Sequence, residues 1–315
     1  MKTISVIVPC YNEESVIDTT YIRIKSVLDS LELGHRIIFI NDGSTDSTME
    51  KLSSIAGIDN LVTVIHFSRN FGHQAAVTAG INHCKTDLAV IIDADLQDPP
   101  ELIPDMIAKQ EEEQANVVYC VRKIRSGENK FKVWSAKLFY RSFNRLSEVK
   151  FPLDTGDFRL IDSRIIHEFN RFKERGKYIR GLISWVGFKQ VPFYYERDAR
   201  QAGKTKYSVG KMFSLAFRAL FYFSKKPLLM ASSLGFVAVL IGIVLMLWYM
   251  FGKIFGYTNA ETGWTSIMII VIFFGGIQLL TIGVLGQYIG ILFDEIKERP
   301  EYIIKEIENK ELFSK

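Results

Sequence analysis

Residues 227–252 form a run of 26 residues without a charged side chain. At about 1.5 Å rise per residue, a helix of this length exceeds the roughly 30 Å hydrocarbon thickness of a bilayer. A second uncharged run follows at residues 262–293. Apolar runs this long are rare in soluble domains, so the sequence predicts two transmembrane helices, at 227–252 and 264–292.

Basic residues flanking the two runs predict which side of the membrane holds each end of the chain. The stretch between the runs contains one basic residue, Lys253. Because cytoplasmic segments carry the excess of lysine and arginine, both termini are predicted to be cytoplasmic, with a cytoplasmic tail at 293–315. Residues 211–226 predict an amphipathic juxtamembrane helix, although a core helix of the preceding domain has the same composition. The basic residues near the outer ends of the runs are Arg218, Lys225, Lys226, Lys297, Arg299 and Lys305.

Composition excludes several classes of protein. The 39 Lys and Arg residues against 35 Asp and Glu leave a net charge of +4, which does not by itself indicate a nucleic-acid partner. The three cysteines are odd in number and widely spaced, so neither a disulfide framework nor a zinc site is expected, and a reducing compartment fits. The N-terminal apolar run is only a few residues long, which indicates a buried strand rather than a signal peptide.

Residues 1–210 have a different pattern, in which short β-branched runs alternate with longer amphipathic segments. Alternation of this kind predicts an α/β domain with a doubly wound, mostly parallel sheet. The expected strands are 4–8, 36–40, 62–67 and 88–92, and the expected helices are about 14–30, 46–56, 72–84 and 100–114.

Acidic side chains follow these predicted strands, where a doubly wound sheet binds its ligands. Asp42 follows the second strand, although a turn residue before Gly43 is an equally good interpretation. Asp93, Asp95 and Gln97 follow the fourth strand. At positions i, i+2 and i+4 of an extended segment, these three side chains would share one face.

Two carboxylates held this close repel each other unless a cation lies between them. Oxygen ligands suit Mg²⁺ or Mn²⁺, and Mg²⁺ is typically held by one or two carboxylates together with substrate phosphates. The pattern therefore predicts a divalent metal on Asp93, Asp95 and Gln97 and a nucleoside diphosphate ligand. The alternative is a turn that is merely rich in aspartate.

No GxGxxG follows the first strand and no GxxxxGK[ST] occurs, so a nicotinamide dehydrogenase or a P-loop phosphotransferase is poorly supported. Instead, six motifs occur in an order that resembles the family 2 glycosyltransferases of the GT-A fold. The resemblance is greatest to the membrane-anchored polyprenyl-phosphate (bactoprenol) glycosyltransferases, relatives of dolichol-phosphate mannose synthase. The motifs are Val6–Glu14 (VIVPCYNEE), Ile40–Ser44 (INDGS), Phe67–Gly72 (FSRNFG), Asp93–Pro100 (DADLQDPP), Thr155–Arg159 (TGDFR) and Arg200–Tyr207 (RQAGKTKY).

The resemblance implies a GT-A-like sheet at 1–210 and assigns roles to residues in the motifs. It implies that Asp157 is the catalytic acidic residue near the acceptor, and that Arg200 and Lys206 close over the phosphates. From the residues alone, Asp157 could equally be an acidic loop residue paired with Arg159. The implied substrate-binding residues are Pro9, Tyr11, Glu13, Asp42, Arg69, Gly72, Asp93 and Ala94, and the implied metal ligands are Asp93, Asp95 and Gln97. Arg122 begins a basic segment that could bind the acceptor phosphate or face anionic lipid.

The reaction implied is an inverting transfer of a sugar, glucose or N-acetylglucosamine, from a UDP-linked donor to polyprenyl (undecaprenyl) phosphate, for modification of cell-surface glycans. A phosphate acceptor is already largely ionised at neutral pH, so Asp157 is expected to orient it rather than deprotonate it. The predicted location is the bacterial inner membrane, and a homo-oligomer such as a tetramer is plausible. The alternatives are a mannosyltransferase using GDP-mannose and a non-catalytic membrane protein that binds nucleotide sugars or lipid-linked sugars.

Overall fold

The computed structural model describes residues 2–122, 155–196, 221, 224–255 and 263–309. These residues divide into two compact units, a sheet domain that includes residues from 299 onward and a pair of long apolar helices. The sheet domain begins with β1 Thr3–Cys10, α1 Ile17–Asp29, β2 Gly34–Asn41, α2 Thr48–Ile58, β3 Val62–Phe67, α3 His73–His83 and β4 Leu88–Ile91. It continues with a 3-10 helix Pro100–Leu102, α4 Ile103–Glu112, β5 Val117–Arg122, β6 Thr155–Asp162, α5 Ser163–Arg171, α6 Ile179–Trp185 and β7 Gln190–Tyr195.

The strands form one mixed sheet whose central part is parallel. Its order is β7-β5-β6-β4-β1-β2-β3, and β1 pairs in parallel with both β2 and β4. The register places Cys10 opposite Asn41 and Asn41 opposite His66. The carboxyl ends of β1 to β4 therefore meet at one edge of the sheet. This arrangement confirms the predicted mostly parallel, GT-A-like α/β fold.

The core lies between the central strands and the helices that cover them. Strands β1 to β4 are buried almost throughout, as the continuous apolar runs of a sheet covered on both faces require. Helix α3 is rich in small residues and packs very closely on the sheet. A Cβ added at its Gly80 would lie 2.3 Å from Cγ2 of Ile7 in β1. This close packing fixes the N-terminal residue of α3, His73, at the carboxyl edge of the sheet.

The two apolar helices are α7 Lys226–Ile254 and α8 Trp264–Ile296. At about 1.5 Å per residue both are longer than a bilayer's hydrocarbon layer, and segments Lys226–Leu245 and Ile270–Ile296 are long and apolar enough to cross it. The two helices pack against each other, and the Tyr288 hydroxyl of α8 donates to the carbonyl oxygen of Ser224, two residues before α7, at 2.7 Å. Most of their large apolar side chains remain exposed, unlike those of a soluble core helix.

The segment after α8, predicted as a tail, also contributes a strand to the sheet. Strand β8, Ile304–Glu308, pairs antiparallel with β3 and completes an eight-stranded sheet. The chain therefore leaves the sheet domain before α7 and rejoins it after α8. The predicted juxtamembrane helix at 211–226 lies outside the described residues except at Phe221 and at 224–226.

Candidate active site

The acidic segment after β4 forms a turn at the carboxyl edge of the sheet. Leu96 has a φ of 57°, a left-handed conformation that is uncommon for a large side chain. The backbone N–H of Gln97 donates to Oδ1 of Asp95 at 3.2 Å. The extended geometry expected from the i, i+2, i+4 spacing is therefore wrong, because the chain turns between Asp93 and Gln97.

The same turn separates the aspartates into two environments. Asp93 and Asp95 are half-buried, whereas Asp98 is fully buried and accepts a hydrogen bond from the hydroxyl of Tyr195 in β7. Thr20 of α1 donates its hydroxyl to the carbonyl oxygen of Ala94 at 2.8 Å. Asp98 and Ala94 thus anchor the turn, and Asp93 and Asp95 carry its more exposed carboxylates.

The donor set of this turn fits a divalent cation of the magnesium type. Burial raises the pKa of Asp93 to about 6, and the neighbouring carboxylates of Asp157, Asp98 and Asp95 add to this effect, against the opposing influence of His73. A bound cation would relieve that repulsion. Within the described residues, no three His, Cys, Asp or Glu side chains form a metal cluster. The half-buried carboxylates of Asp93 and Asp95 match the one or two that Mg²⁺ takes together with substrate phosphates. Gln97 as a third ligand stays a prediction.

A second cluster lies beside this turn and contains Asp157 of β6. The Arg180 side chain of α6 donates from Nε to Oδ1 of Asp157 at 2.7 Å, and Nε2 of His73 lies 3.0 Å from Oδ2. Nε2 of His73 is also 3.8 Å from Oδ1 of Asp93. One imidazole therefore contacts the carboxylates of both clusters. Arg159 completes the surroundings of Asp157, with Nη2 at 3.9 Å from Oδ1.

The electrostatics of this cluster favour a charged imidazole and an ionised Asp157. Burial alone would lower the pKa of His73, but Asp157 and Asp93 raise it to about 9. Burial alone would raise the pKa of Asp157, yet Arg180 and His73 hold it well below its usual range. Asp157 is therefore an anion across the physiological pH range, paired with two cations. A group in this state orients or neutralises ligands better than it removes a proton at neutral pH.

The loops after β2 and β3 are joined through Asp42. Its Oδ1 accepts the backbone N–H of Phe71 at 2.7 Å and its Oδ2 accepts that of Gly72 at 2.9 Å. Burial raises the pKa of Asp42, and these two hydrogen bonds oppose the rise. Both carboxylate oxygens thus shape the loop that leads into α3. A contact between Asp42 and a nucleoside base stays a prediction.

Gly43 is required where these loops meet. It has a φ of 63°, and an added Cβ would lie 2.3 Å from the backbone carbonyl carbon of Arg69. The loop after β1 joins the same assembly, because the backbone N–H of Asn12 donates to Oγ of Ser44 at 3.0 Å. The loops after β1, β2 and β3 therefore pack together into one rim at the carboxyl edge of the sheet.

The other residues predicted for the site differ from one another in burial and in their place in the fold. Tyr11 is exposed, Glu13 is half-buried with its backbone N–H donating to Thr48, and Pro9 is buried within β1. The exposed Arg69 guanidinium lies 4.0 Å from the Phe71 ring centroid. Of the other predicted site residues, Gly72 precedes α3, and Arg122 ends β5 opposite Tyr195. Arg200 and Lys206 lie outside the described residues.

Sequence reasoning missed His73 and Arg180. His73 directly follows the Phe67–Gly72 motif, and its position at the start of a helix at the carboxyl edge was a usable signal. Arg180 lies in a segment without a recognisable motif, 23 residues after its partner. The structure brings together Asp93, Asp95, Asp157 and these two cations. A metal ion and an anionic substrate at this cluster stay predictions.

Comparisons with known proteins identify the family of this chain. Residues 5–170 match the family described as Glycosyl transferase family 2. The chain belongs to that family and is a glycosyltransferase, which confirms the prediction from its motifs.

Curated relatives match the chain over nearly its whole length. An uncharacterized glycosyltransferase of Bacillus subtilis, YkcC, is 46% identical over 98% of this chain and 96% of its own length. A prophage bactoprenol glucosyl transferase homolog of Escherichia coli is 37% identical over 96% of this chain and 99% of that protein. The bactoprenol glucosyl transferase of Shigella phage SfV is 36% identical over 98% and 99%. The chain is therefore homologous to bactoprenol glucosyl transferases along nearly its full length.

Proposed function

We propose that this glycosyltransferase moves a hexose, glucose or N-acetylglucosamine, from a UDP-linked donor to polyprenyl phosphate, with inversion at the anomeric carbon. The names of two relatives support glucose and a bactoprenol acceptor. The two apolar helices support an acceptor that resides in a membrane, because a long isoprenoid tail does not leave the bilayer.

The observation that carries this proposal is the contact of His73 with both acidic clusters. The distances from its Nε2 are 3.0 Å to Asp157 and 3.8 Å to Asp93. A donor diphosphate at the Asp93 turn would thus lie next to a group at Asp157. This is the adjacency that a direct displacement between two phosphate-bearing substrates needs.

In the proposed reaction a phosphate oxygen of the acceptor forms a bond to the anomeric carbon, and the bond from that carbon to the diphosphate oxygen breaks. The nucleoside diphosphate leaves with the bonding electrons. A divalent cation, Mg²⁺ or Mn²⁺, held by Asp93, Asp95 and Gln97 would neutralise the negative charge of this leaving group. Arg200 and Lys206 would add positive charge to the same phosphates.

The proposed role of Asp157 is to orient the acceptor through its two cationic partners. The second pKa of a phosphate monoester is near 6, so the acceptor needs little help to ionise at neutral pH. Arg180 and His73, fixed by Asp157, would then present positive charge to the acceptor phosphate. This role explains why the carboxylate is itself paired rather than free to accept a proton.

The proposed location is the bacterial inner membrane, with the sheet domain and both termini in the cytoplasm. The return of the chain to the sheet after α8 supports an even number of crossings. The proposed domain arrangement is a catalytic domain at 1–210, a juxtamembrane helix at 211–226 and two membrane spans, with the tail contributing β8. Assembly into a tetramer stays a prediction.

The test is a transfer assay with the full chain in detergent. Undecaprenyl phosphate and Mg²⁺ are mixed with radiolabelled UDP-glucose, UDP-N-acetylglucosamine, UDP-galactose or GDP-mannose, and organic-soluble label is measured. We expect label from UDP-glucose or UDP-N-acetylglucosamine and an inverted anomeric configuration in the product. Label from UDP-galactose alone would contradict the proposed sugar. Label from GDP-mannose alone would establish the mannosyltransferase alternative. Absence of lipid-linked label with every donor, or retention of configuration, would contradict the proposal.

A further inference from the structure

Strand β8 is held on the sheet by more than its backbone pairing. Tyr302, just before it, stacks on Phe67 with ring centroids 5.0 Å apart, and Asn82 of α3 donates to the Tyr302 hydroxyl at 2.9 Å. The side chain of Asn309 donates to the carbonyl oxygens of Ala56 at 2.7 Å and Val62 at 3.0 Å. These contacts fix the position of Glu308 at the end of β8.

Glu308 reaches a buried histidine in the adjacent strand. Nε2 of His66 lies 2.8 Å from Oε1 of Glu308, and the same oxygen accepts the hydroxyl of Ser53 at 2.6 Å. His66 is 1% exposed. Its other ring nitrogen, Nδ1, lies 3.1 Å from Nδ2 of Asn41, the last residue of β2. Both ring nitrogens of this imidazole therefore have partners.

The direction of each hydrogen bond follows from Asn41. Its Oδ1 accepts the backbone N–H of Ser44 at 3.0 Å, so the amide group Nδ2 faces His66 and donates to Nδ1. A ring nitrogen that accepts carries no proton, which places the proton of a neutral imidazole on Nε2. Nε2 then donates to the carboxylate of Glu308, and the chain of donors and acceptors is complete.

The other end of this chain is the loop at residues 41–44. That loop contains Asp42, which holds the backbone of Phe71 and Gly72, and Gly43, which contacts the backbone of Arg69. Ser44 also accepts the backbone N–H of Asn12 in the loop after β1. The side chains of Glu308 and His66 thus connect the strand after α8 to the rim where three strand ends meet.

We propose that His66 and Glu308 are positioning residues for the donor, because they hold the Asn41–Ser44 loop in the shape that binds the nucleoside diphosphate. This inference rests on the proposed function, in which that rim takes the nucleotide. It also gives β8 a role in the reaction although the strand lies outside the acidic clusters. Neither residue touches the reacting atoms.

The test compares three variants of the full chain in detergent. Glu308→Ala removes the acceptor for Nε2 of His66, whereas Glu308→Gln keeps an oxygen that accepts from both His66 and Ser53. Ser53→Ala is the matched control, because it removes a hydrogen bond to the same oxygen without touching the link to Asn41. The Kd for UDP with Mn²⁺, and for GDP with Mn²⁺, is measured by calorimetry, together with the Tm of each variant.

We expect Glu308→Ala to weaken nucleotide binding roughly tenfold, while Glu308→Gln and Ser53→Ala stay within about twofold of wild type. In the transfer assay, Glu308→Ala should raise the donor KM and leave kcat and the acceptor KM unchanged. A lowered Tm with unchanged Kd, or equal losses in Glu308→Ala and Ser53→Ala, would overturn the inference.

The outcomes also separate this inference from the proposed function. Wild-type protein that binds UDP but gives no lipid product would refute the proposed acceptor, and the ratios of Kd would still decide the role of Glu308. Wild-type protein that binds neither UDP nor GDP would overturn the positioning role itself.

Discussion

The charged state of His73 leads to a prediction about stability against pH. Because its pKa is raised from the ordinary 6.5 to about 9, the folded chain keeps a proton that the unfolded chain releases at a lower pH. The resulting stabilisation is complete below pH 6.5 and is lost progressively as pH rises through 9. The replacement His73→Gln keeps a hydrogen-bond donor for Asp157 but does not titrate, so it removes this part of the pH dependence.

The size of the effect follows from the shift and from the exposure of the ring. A rise from 6.5 to about 9 corresponds to roughly 3 kcal/mol, and partial exposure of the imidazole reduces this to roughly 2 kcal/mol. For a domain of this size, losing this stabilisation as pH rises through 9 lowers the wild-type Tm by roughly 4–8 °C relative to His73→Gln.

The assay is thermal unfolding of the full chain in detergent, followed by intrinsic fluorescence from pH 6 to 10. Other groups titrate in this range, so the informative quantity is the difference between wild type and His73→Gln. His83→Gln is the matched control, because His83 lies on the same helix and its Nδ1 is 2.8 Å from the carbonyl oxygen of Ala79. Parallel Tm curves for wild type and His73→Gln would refute the ion pair, as would a loss of stability completed by pH 7.

Two further predictions concern the site. Asp157→Asn should lose most transfer activity at every pH between 6 and 10, because the carboxylate is ionised throughout and its two cations lose their partner; recovery of activity at high pH would contradict the orienting role. Gly43→Ala should raise the donor KM by roughly tenfold or more, since the new Cβ would lie 2.3 Å from the backbone of Arg69. Gly57→Ala is its control, because nothing lies within 4 Å of that position, and equal donor KM values for both variants would refute the steric argument.

The sequence predicted those strands and helices whose residues form a local pattern. The four parallel strands are continuous apolar runs, and their predicted positions agree with β1 to β4 to within two residues at each end. The two long uncharged runs likewise predicted α7 and α8. The oxygen-bearing side chains after β4 were predictable because the carboxyl ends of parallel strands meet at one edge.

Other parts of the fold depend on contacts between distant residues. Strand β8 contains Lys305, Glu306 and Glu308, the charged pattern typical of an edge strand, and it pairs with residues about 240 positions earlier. The partners of Asp157 come from α3 and α6, and an ion pair between separate elements leaves no periodic pattern in the sequence. For this reason the acidic residues and the neighbouring Arg159 were identified from the sequence, whereas His73 and Arg180 were not.

The proposed reaction depends on a divalent ion that Asp93, Asp95 and Gln97 hold and that neutralises the donor diphosphate. The most direct test is the transfer rate of Asp95→Ala and wild type across a titration of Mg²⁺ or Mn²⁺, with Asp105→Ala as the control for an exposed aspartate nearby in the chain. We predict that chelation abolishes the wild-type rate, that Mg²⁺ or Mn²⁺ restores it, and that Asp95→Ala is slower by roughly 100-fold at saturating metal. A wild-type rate for Asp95→Ala in the presence of chelator would contradict the claim.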